Sequence, residues 1–280
     1  MPARRLPAEL VERIWGRRSL PAWIADTADR AMPVGEIWHP DDDPAAALLV
    51  KHIFTAERLS IQVHPDDDDA RARGLPRGKA EVWHILDAEP GAVIGLGLKH
   101  KVSAEALRAA AIDGSIEDLI DWRPAKAGDT IYSPGGTIHA IGAGLSLIEV
   151  QQNLDLTYRL YDYGRPRELH LDEGVAVADP APYDFAFTPY DRGDGRQILV
   201  EGGAFVLERW TFGGDAEVRA GDETALLIPI ASGGAIDGEP LKAGGVWRID
   251  GAAKVAADGG LDLLAAYPGA NARDGLLVRG

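Results

Sequence analysis

Gln62, His64, Glu81 and His139 together make a donor set of the types that hold a divalent metal: two imidazoles, one carboxylate and one amide oxygen. Such a set suits a zinc-like ion with positions left for water or substrate. One carboxylate against a doubly charged ion leaves a net charge of about +1, the sign that stabilises a developing oxyanion. The chain has no cysteine, so thiolate ligands and disulfides are excluded and any metal site uses nitrogen and oxygen. The spacing supports the set. In Leu59-Ser60-Ile61-Gln62-Val63-His64-Pro65 a strand puts Ser60, Gln62 and His64 on one face and Leu59, Ile61 and Val63 on the other. In Gly78-Lys79-Ala80-Glu81-Val82-Trp83 the same alternation puts Lys79 beside Glu81. Taken singly, the first stretch also reads as a half-exposed strand with a surface histidine, and the second as a surface ion pair worth little. The run Asp66–Asp69 reads as a solvated loop or helix start, not a metal cluster.

His139 ends the stretch Gly128-Asp129-Thr130-Ile131-Tyr132-Ser133-Pro134-Gly135-Gly136-Thr137-Ile138-His139. Gly128 and Gly136 permit backbone turns that a Cβ disfavours, and Pro134 fixes φ at the corner. A short strand can then present His139 inward. Downstream, Glu149 to Arg165 is too polar for a packed core strand, and alternation would put Arg159, Tyr161 and Tyr163 on one side. It reads either as an amphipathic surface strand or as part of a sugar or phosphate pocket.

The elements that position these residues are mostly strands. Thirty-three Gly and 18 Pro accompany strand-like runs such as Leu145–Val150, which favours an all-β class. Strand patterns begin at Ala46–Val50 and continue through 53–63 and 81–86. Ser103–Ala110 reads as a short helix with Ser103 as N-cap, and Ser115–Asp118 opens a second with capping-box-like spacing. Residues 178–198 read as a linker or long loop. Beyond it lie more short strands, and Leu241–Ile249 echoes Pro124–Ile131. All seven histidines lie at or before His170, so a C-terminal barrel has no imidazole ligands. A formal net charge of −15 argues against general nucleic-acid binding while leaving room for one small anionic ligand in a local basic pocket. No apolar run approaches the roughly 20 residues of a membrane-spanning helix. Residues 1–20 lack an apolar segment after Arg4 and Arg5, so no secretory signal and a cytoplasmic location are expected.

The turn ending at His139 resembles the second motif of the cupin barrels, departing at Ala143 where asparagine is usual. Four stretches in order, LSIQVHPDD (59–67), GKAEVW (78–83), SPGGTIHAI (133–141) and EVQQNLDLTYRLYDYGR (149–165), resemble the class I mannose-6-phosphate isomerases of the short bacterial type. Segments 35–38 and 48–51 are similar to that family's upstream stretches, whereas residues beyond about 170 match loosely. His84 and Ile141 stand where relatives often carry aromatics. The resemblance implies a cupin jelly roll with small helices around 103–122, spanning residues 1–190, and a second, degenerate cupin-like barrel at 195–280. It implies one zinc ion per chain on Gln62, His64, Glu81 and His139. Lys79, Glu149 and Arg159 take active-site positions, with Ser60, Arg165 and Lys51 near sugar or phosphate. The implied reaction interconverts mannose 6-phosphate and fructose 6-phosphate through a cis-enediolate. Glu149, Lys79 and a metal-held hydroxide all remain candidate bases. Two rival readings are a metal-dependent cupin enzyme of another reaction type and a non-catalytic sugar-phosphate-binding cupin. In every reading the partner is a small molecule, not nucleic acid or membrane.

Overall fold

Period-two alternation and glycine turns fold the chain into strands nearly throughout, in a computed structural model that describes residues 2–24 and 31–280. Two antiparallel sheets form the first barrel. The six-stranded sheet runs β2 (Glu9–Arg17), β3 (Val34–His39), β4 (Leu48–Phe54), β11 (Leu145–Gln152), β6 (Glu81–Ala88), β9 (Thr130–Ser133). The five-stranded sheet runs β12 (Tyr158–Tyr161), β5 (Ile61–Val63), β10 (His139–Ile141), β7 (Val93–Leu98), β8 (Ile120–Pro124). Together they make the expected cupin jelly roll. The six-stranded sheet is buried on both faces. Val50, Val82, Ile148 and Val150 pack outward against Leu199, Phe205, Leu207, Leu226 and Leu264 of the C-terminal half. The alternate positions, Lys51, Glu81, Trp83, Glu149 and Gln151, are buried too, and they turn the other way.

The C-terminal half is a second barrel, built on two long strands, β15 (Phe205–Pro229) and β18 (Trp247–Pro268). Residues 263–266 of β18 pair on one edge with Leu207–Trp210 and on the other with Leu226–Pro229, so β15 bends round and closes the sheet on itself. β13 (Tyr190–Gly193), β14 (Arg196–Val200), β16 (Ala235–Ile236), β17 (Glu239–Pro240) and β19 (Leu277–Arg279) complete it, and β1 (Ala3–Arg5) at the N-terminus pairs with β18. Its core buries one carboxylate, Glu208, which accepts two bonds from Arg196 at 2.7 Å each, one from Trp210 Nε1 at 2.7 Å and one from the Tyr267 hydroxyl. Every lone-pair direction is occupied. That is a structural network, not a second reactive site.

Local expectations meet mixed outcomes. Asp66 caps helix α1 (Asp67–Ala72) by accepting from Asp69 N, which settles the acidic run as a helix start. Ser103 caps α2 (Ala104–Asp113) as expected. Ser115 does not cap α3 (Ile116–Leu119): it is already helical in φ and ψ, and its N–H donates to Asp113 Oδ1 instead. A last short helix, α4 (Leu171–Val177), packs beside β12. The strand expected over 53–63 is interrupted, since β4 ends at Phe54 and β5 starts at Ile61. Residues 190–193 and most of 196–200 fall in the expected 178–198 linker or loop but are strands of the second barrel. The echo between 124–131 and 241–249 is a shared turn. Gly128 and Gly244 both have positive φ, closing the bonds Asp129 N→Lys126 O and Gly245 N→Lys242 O before a strand.

Candidate metal centre and active site

Backbone register sets out the site in two rows. Across the five-stranded sheet, Arg159 pairs with Gln62, Gln62 with His139, and His139 with Leu96. Across the six-stranded sheet, Trp38 pairs with Lys51, Lys51 with Glu149, and Glu149 with Trp83, with Glu81 one pleat along opposite Gln151. Residues directly opposite on neighbouring strands have Cβ atoms about 5 Å apart, so each row is a contiguous line of side chains.

The turns lock these rows together around His64. Gly136 N donates to His64 O at 2.8 Å and Lys79 N to Pro65 O at 2.9 Å, so backbone bonds tie the three segments that carry candidate ligands at one point. Gly135 is needed there, because a Cβ on it would lie 2.5 Å from the Asp66 Cα. Gly136 follows with φ +84°, which turns the chain toward His139.

His64, Glu81 and His139 each bring one donor atom within 4.8 Å of the others, all buried. His64 Nε2 lies 3.1 Å from Glu81 Oε1, and His139 Nε2 lies 3.5 Å from Glu81 Oε2. Neither contact has hydrogen-bond alignment. Both nitrogens of His64 and Glu81 Oε2 are buried without a hydrogen-bond partner. Orphaned buried polar atoms are costly, and a His64 nitrogen and the Glu81 carboxylate clustered with His139 Nε2 fit a cation. His139 Nδ1 donates to Thr137 O at 2.9 Å, which leaves the Nε2 lone pair facing the cluster. Gln62 sits 3.3 Å from that nitrogen through its amide, with Ser60 Oγ 3.1 Å from the other amide atom. It is Gln62 Nε2 that faces His139 and Oε1 that faces Ser60; a hydroxyl both donates and accepts, so Ser60 would equally support the amide turned over, with its oxygen on the cluster.

The electrostatics match. Burial, then Lys79, lowers His64 to about 3, so the ring is neutral and one of its nitrogens offers a lone pair. Burial pushes Glu81 up, but His64 and Lys79, whose Nζ is 3.3 Å away, outweigh it and hold the carboxylate well below its usual range. Glu149 goes the other way. Burial and then Glu81 raise it against the pull of Lys51 and Lys79. Lys51 is 3.1 Å from Glu149, and Glu149 and Glu36 raise it despite burial. Burial lowers Lys79 against the opposing pull of Glu81. The two carboxylates of the site are thus shifted in opposite directions, Glu81 down and Glu149 up.

These groups open on a cavity of about 570 Å³ lined by Ser60, Gln62, Lys79, Glu81, Lys51 and Glu149 on its deep side, and by Arg159, Arg167 and Arg13 farther along. Arg159 makes no ion pair among the described residues. Its Nη1 donates to Glu168 O at 2.7 Å and its buried Nε has no partner. Arg165 does not line the cavity. It is bonded to Asp162 and the Arg58 carbonyl, while Arg167, two residues on, bonds Asp162 and also reaches the cavity wall. The alternation expected for Arg159, Tyr161 and Tyr163 also fails: a bulge follows Arg159, and Tyr163 has φ +54°. Sequence reasoning missed Trp83, Glu36, Arg13 and Arg167. Only Trp83, two residues from Glu81, carried a signal in its parity.

No protein-family model matches the chain. A mannose-6-phosphate isomerase of Streptococcus mutans is 35% identical over 197 residues, covering 66% of this chain and 61% of that protein. A probable mannose-6-phosphate isomerase of Bacillus subtilis is 33% identical over 215 residues, covering 71% and 68%. The match thus spans about three-fifths to two-thirds of those relatives' length. The crystal structure of a Bacillus subtilis mannose 6-phosphate isomerase superposes with a TM-score of 0.80 at 26% identity, over 95% of this chain and all of that one. With the donor cluster at the crossing of two jelly-roll sheets and relatives of one kind aligned along both barrels, the chain belongs to the mannose-6-phosphate isomerase family.

Proposed function

We propose that this chain is a zinc-dependent aldose–ketose isomerase interconverting mannose 6-phosphate and fructose 6-phosphate. The observation that carries the reading is the convergence of orphaned donors from His64 and Glu81 with His139 Nε2, beside a carboxyl with a raised pKa, on one polar cavity. Gln62, His64, Glu81 and His139 would hold the ion. Bound there, it supplies Lewis-acid charge at the substrate's carbonyl and hydroxyl oxygens.

The chain's own residues do the rest. Isomerisation removes a proton α to the carbonyl and returns it to the neighbouring carbon, through a cis-enediolate. A Glu149 carboxylate oxygen takes and returns that proton, since it lines the cavity and is held in place by Lys51 and Trp83. Lys79 and Arg159 place positive charge where negative charge develops on the enediolate oxygens. Arg167 and Arg13, farther along the wall, suit the phosphate, and Ser60 orients the Gln62 amide. The lining carries five cations against five carboxylates, so a bound divalent ion would tip the cavity positive despite the net charge of −15. No helix of the described residues is long and apolar enough to cross a membrane. A cytoplasmic location belongs to the same reading, since sugar phosphates are metabolites of the cell interior.

Elemental analysis and a coupled isomerase assay test the proposal. About one zinc per chain is expected, with mannose 6-phosphate favoured over mannose in kcat/KM by roughly 100-fold or more, the scale of one paired charge. Equal turnover of the two sugars, or full activity in metal-free protein, would refute it.

A further inference from the structure

Trp83 is fully buried, two residues beyond Glu81 on the same face of β6. Its indole Nε1 donates to Glu149 Oε2 at 3.0 Å, while Lys51 Nζ holds Glu149 Oε1 at 3.1 Å. Each carboxylate oxygen therefore has one fixed donor, and only the remaining lone pairs are free to accept a proton. The same indole packs on His139, with ring centroids 5.2 Å apart and planes tilted by 56°. Trp83 and Glu149 are direct cross-strand partners, so backbone register fixes the contact. A residue chosen only to fill space between two apolar layers needs no N–H aimed at a carboxylate, and leucine or phenylalanine would fill the position without one.

We propose that Trp83 is a positioning residue: one rigid indole holds the proton-transferring carboxylate of Glu149 and the His139 imidazole at a set spacing. The proposal rests on the isomerase reading and deepens it. A carboxylate freed from one of its two donors swings about the other, and a displacement of about 1 Å in a reacting group costs on the order of 100-fold in rate. Substrate binding, which depends on the arginines farther along the cavity, is left alone.

The test is Trp83→Phe in the zinc-loaded enzyme, which keeps a ring against His139 and removes the N–H. The expected result is a fall in kcat of roughly 10- to 100-fold with KM within about threefold, unchanged zinc content, and a larger primary isotope effect with substrate deuterated at C2. A filler residue would not enlarge the isotope effect. Unchanged kcat, or loss of kcat in step with loss of zinc, overturns the proposal while leaving the isomerase reading in place. Absence of turnover in the unsubstituted enzyme overturns both. Should Trp83→Phe not fold, Glu149→Gln serves with tryptophan-labelled protein: the indole N–H resonance bonded to residue 149 must shift, and an unperturbed set of indole resonances sinks the idea.

Discussion

Arg159→Lys separates a catalytic arginine from a structural one, because the structure shows how little the guanidinium holds up. It contributes one charge-assisted bond to a carbonyl, Nη1 to Glu168 O at 2.7 Å, and carries a buried Nε with no partner. The first contributes about 1.5–3 kcal/mol and the second costs about 1–3 kcal/mol, so losing both nearly cancels. Burial, and then Arg167, lowers the Arg159 pKa, so the protein places this charge against opposition and recovers no ion pair for it. Asp162, the nearest candidate partner by sequence, is already bonded by Arg165 and Arg167. A melting temperature within about 4 °C of the parent is therefore expected, equivalent to about 1–2 kcal/mol in a chain of this size. Activity should respond otherwise. Removing one donor aimed at a developing oxyanion costs about 2.7–4 kcal/mol, or 100- to 1,000-fold in kcat. Lysine keeps the charge and loses the planar fork, so a loss near 100-fold is expected. Steady-state kinetics, thermal melts and zinc analysis on one preparation decide it. If kcat stays within twofold of the parent, Arg159 is not at the reacting oxygens. If the melting temperature falls by 10 °C or more, its role is structural.

Three further outcomes follow from the same geometry. The double variant His64→Ala/His139→Ala should lose its metal by elemental analysis, leaving Gln62 and Glu81 as the last donors; full retention would move the site elsewhere. Acid should destabilise the fold between about pH 6.5 and 4. Burial lowers both His39 and His84 to about 4, so their neutral-form stability is present above the unfolded value of 6.5 and lost as pH falls toward 4. At pH 5 each contributes a loss of about 2 kcal/mol relative to pH 7, readable by denaturant titration, and a flat pH profile across that window refutes the burial argument. Glu208→Ala should destabilise the second barrel by about 3–5 kcal/mol, because Arg196 is left as an unpaired buried charge, and a neutral effect on the denaturation midpoint would contradict the network.

Much of the centre was legible because period-two alternation survives wherever strands are regular. Gln62 and His64 on one strand and Lys79 and Glu81 on the next approach keep the faces that counting assigns. The turn ending at His139 was legible for a different reason: each of Pro134, Gly135 and Gly136 answers a backbone demand that other residues meet poorly. Counting fails at irregularities. The bulge after Arg159 and the left-handed Tyr163 end the alternation within five residues, and beyond them Arg165 points to Asp162 while Arg167 takes the cavity wall. No local pattern announces either break.

Long-range pairing was the other hidden part. Arg13 and Glu36 reach the cavity because β2 and β3 extend the six-stranded sheet beyond Lys51, which itself meets Glu149 of β11, 98 residues later in the chain. Trp83 lies between these cases. Its parity with Glu81 placed it inward, yet only its pairing with Glu149, 66 residues later, turns an ordinary core tryptophan into a donor for the carboxylate proposed to move the proton. The candidate ligands of the ion can be read from single strands. The residues that orient the chemistry become visible only when a row is traced across the sheet.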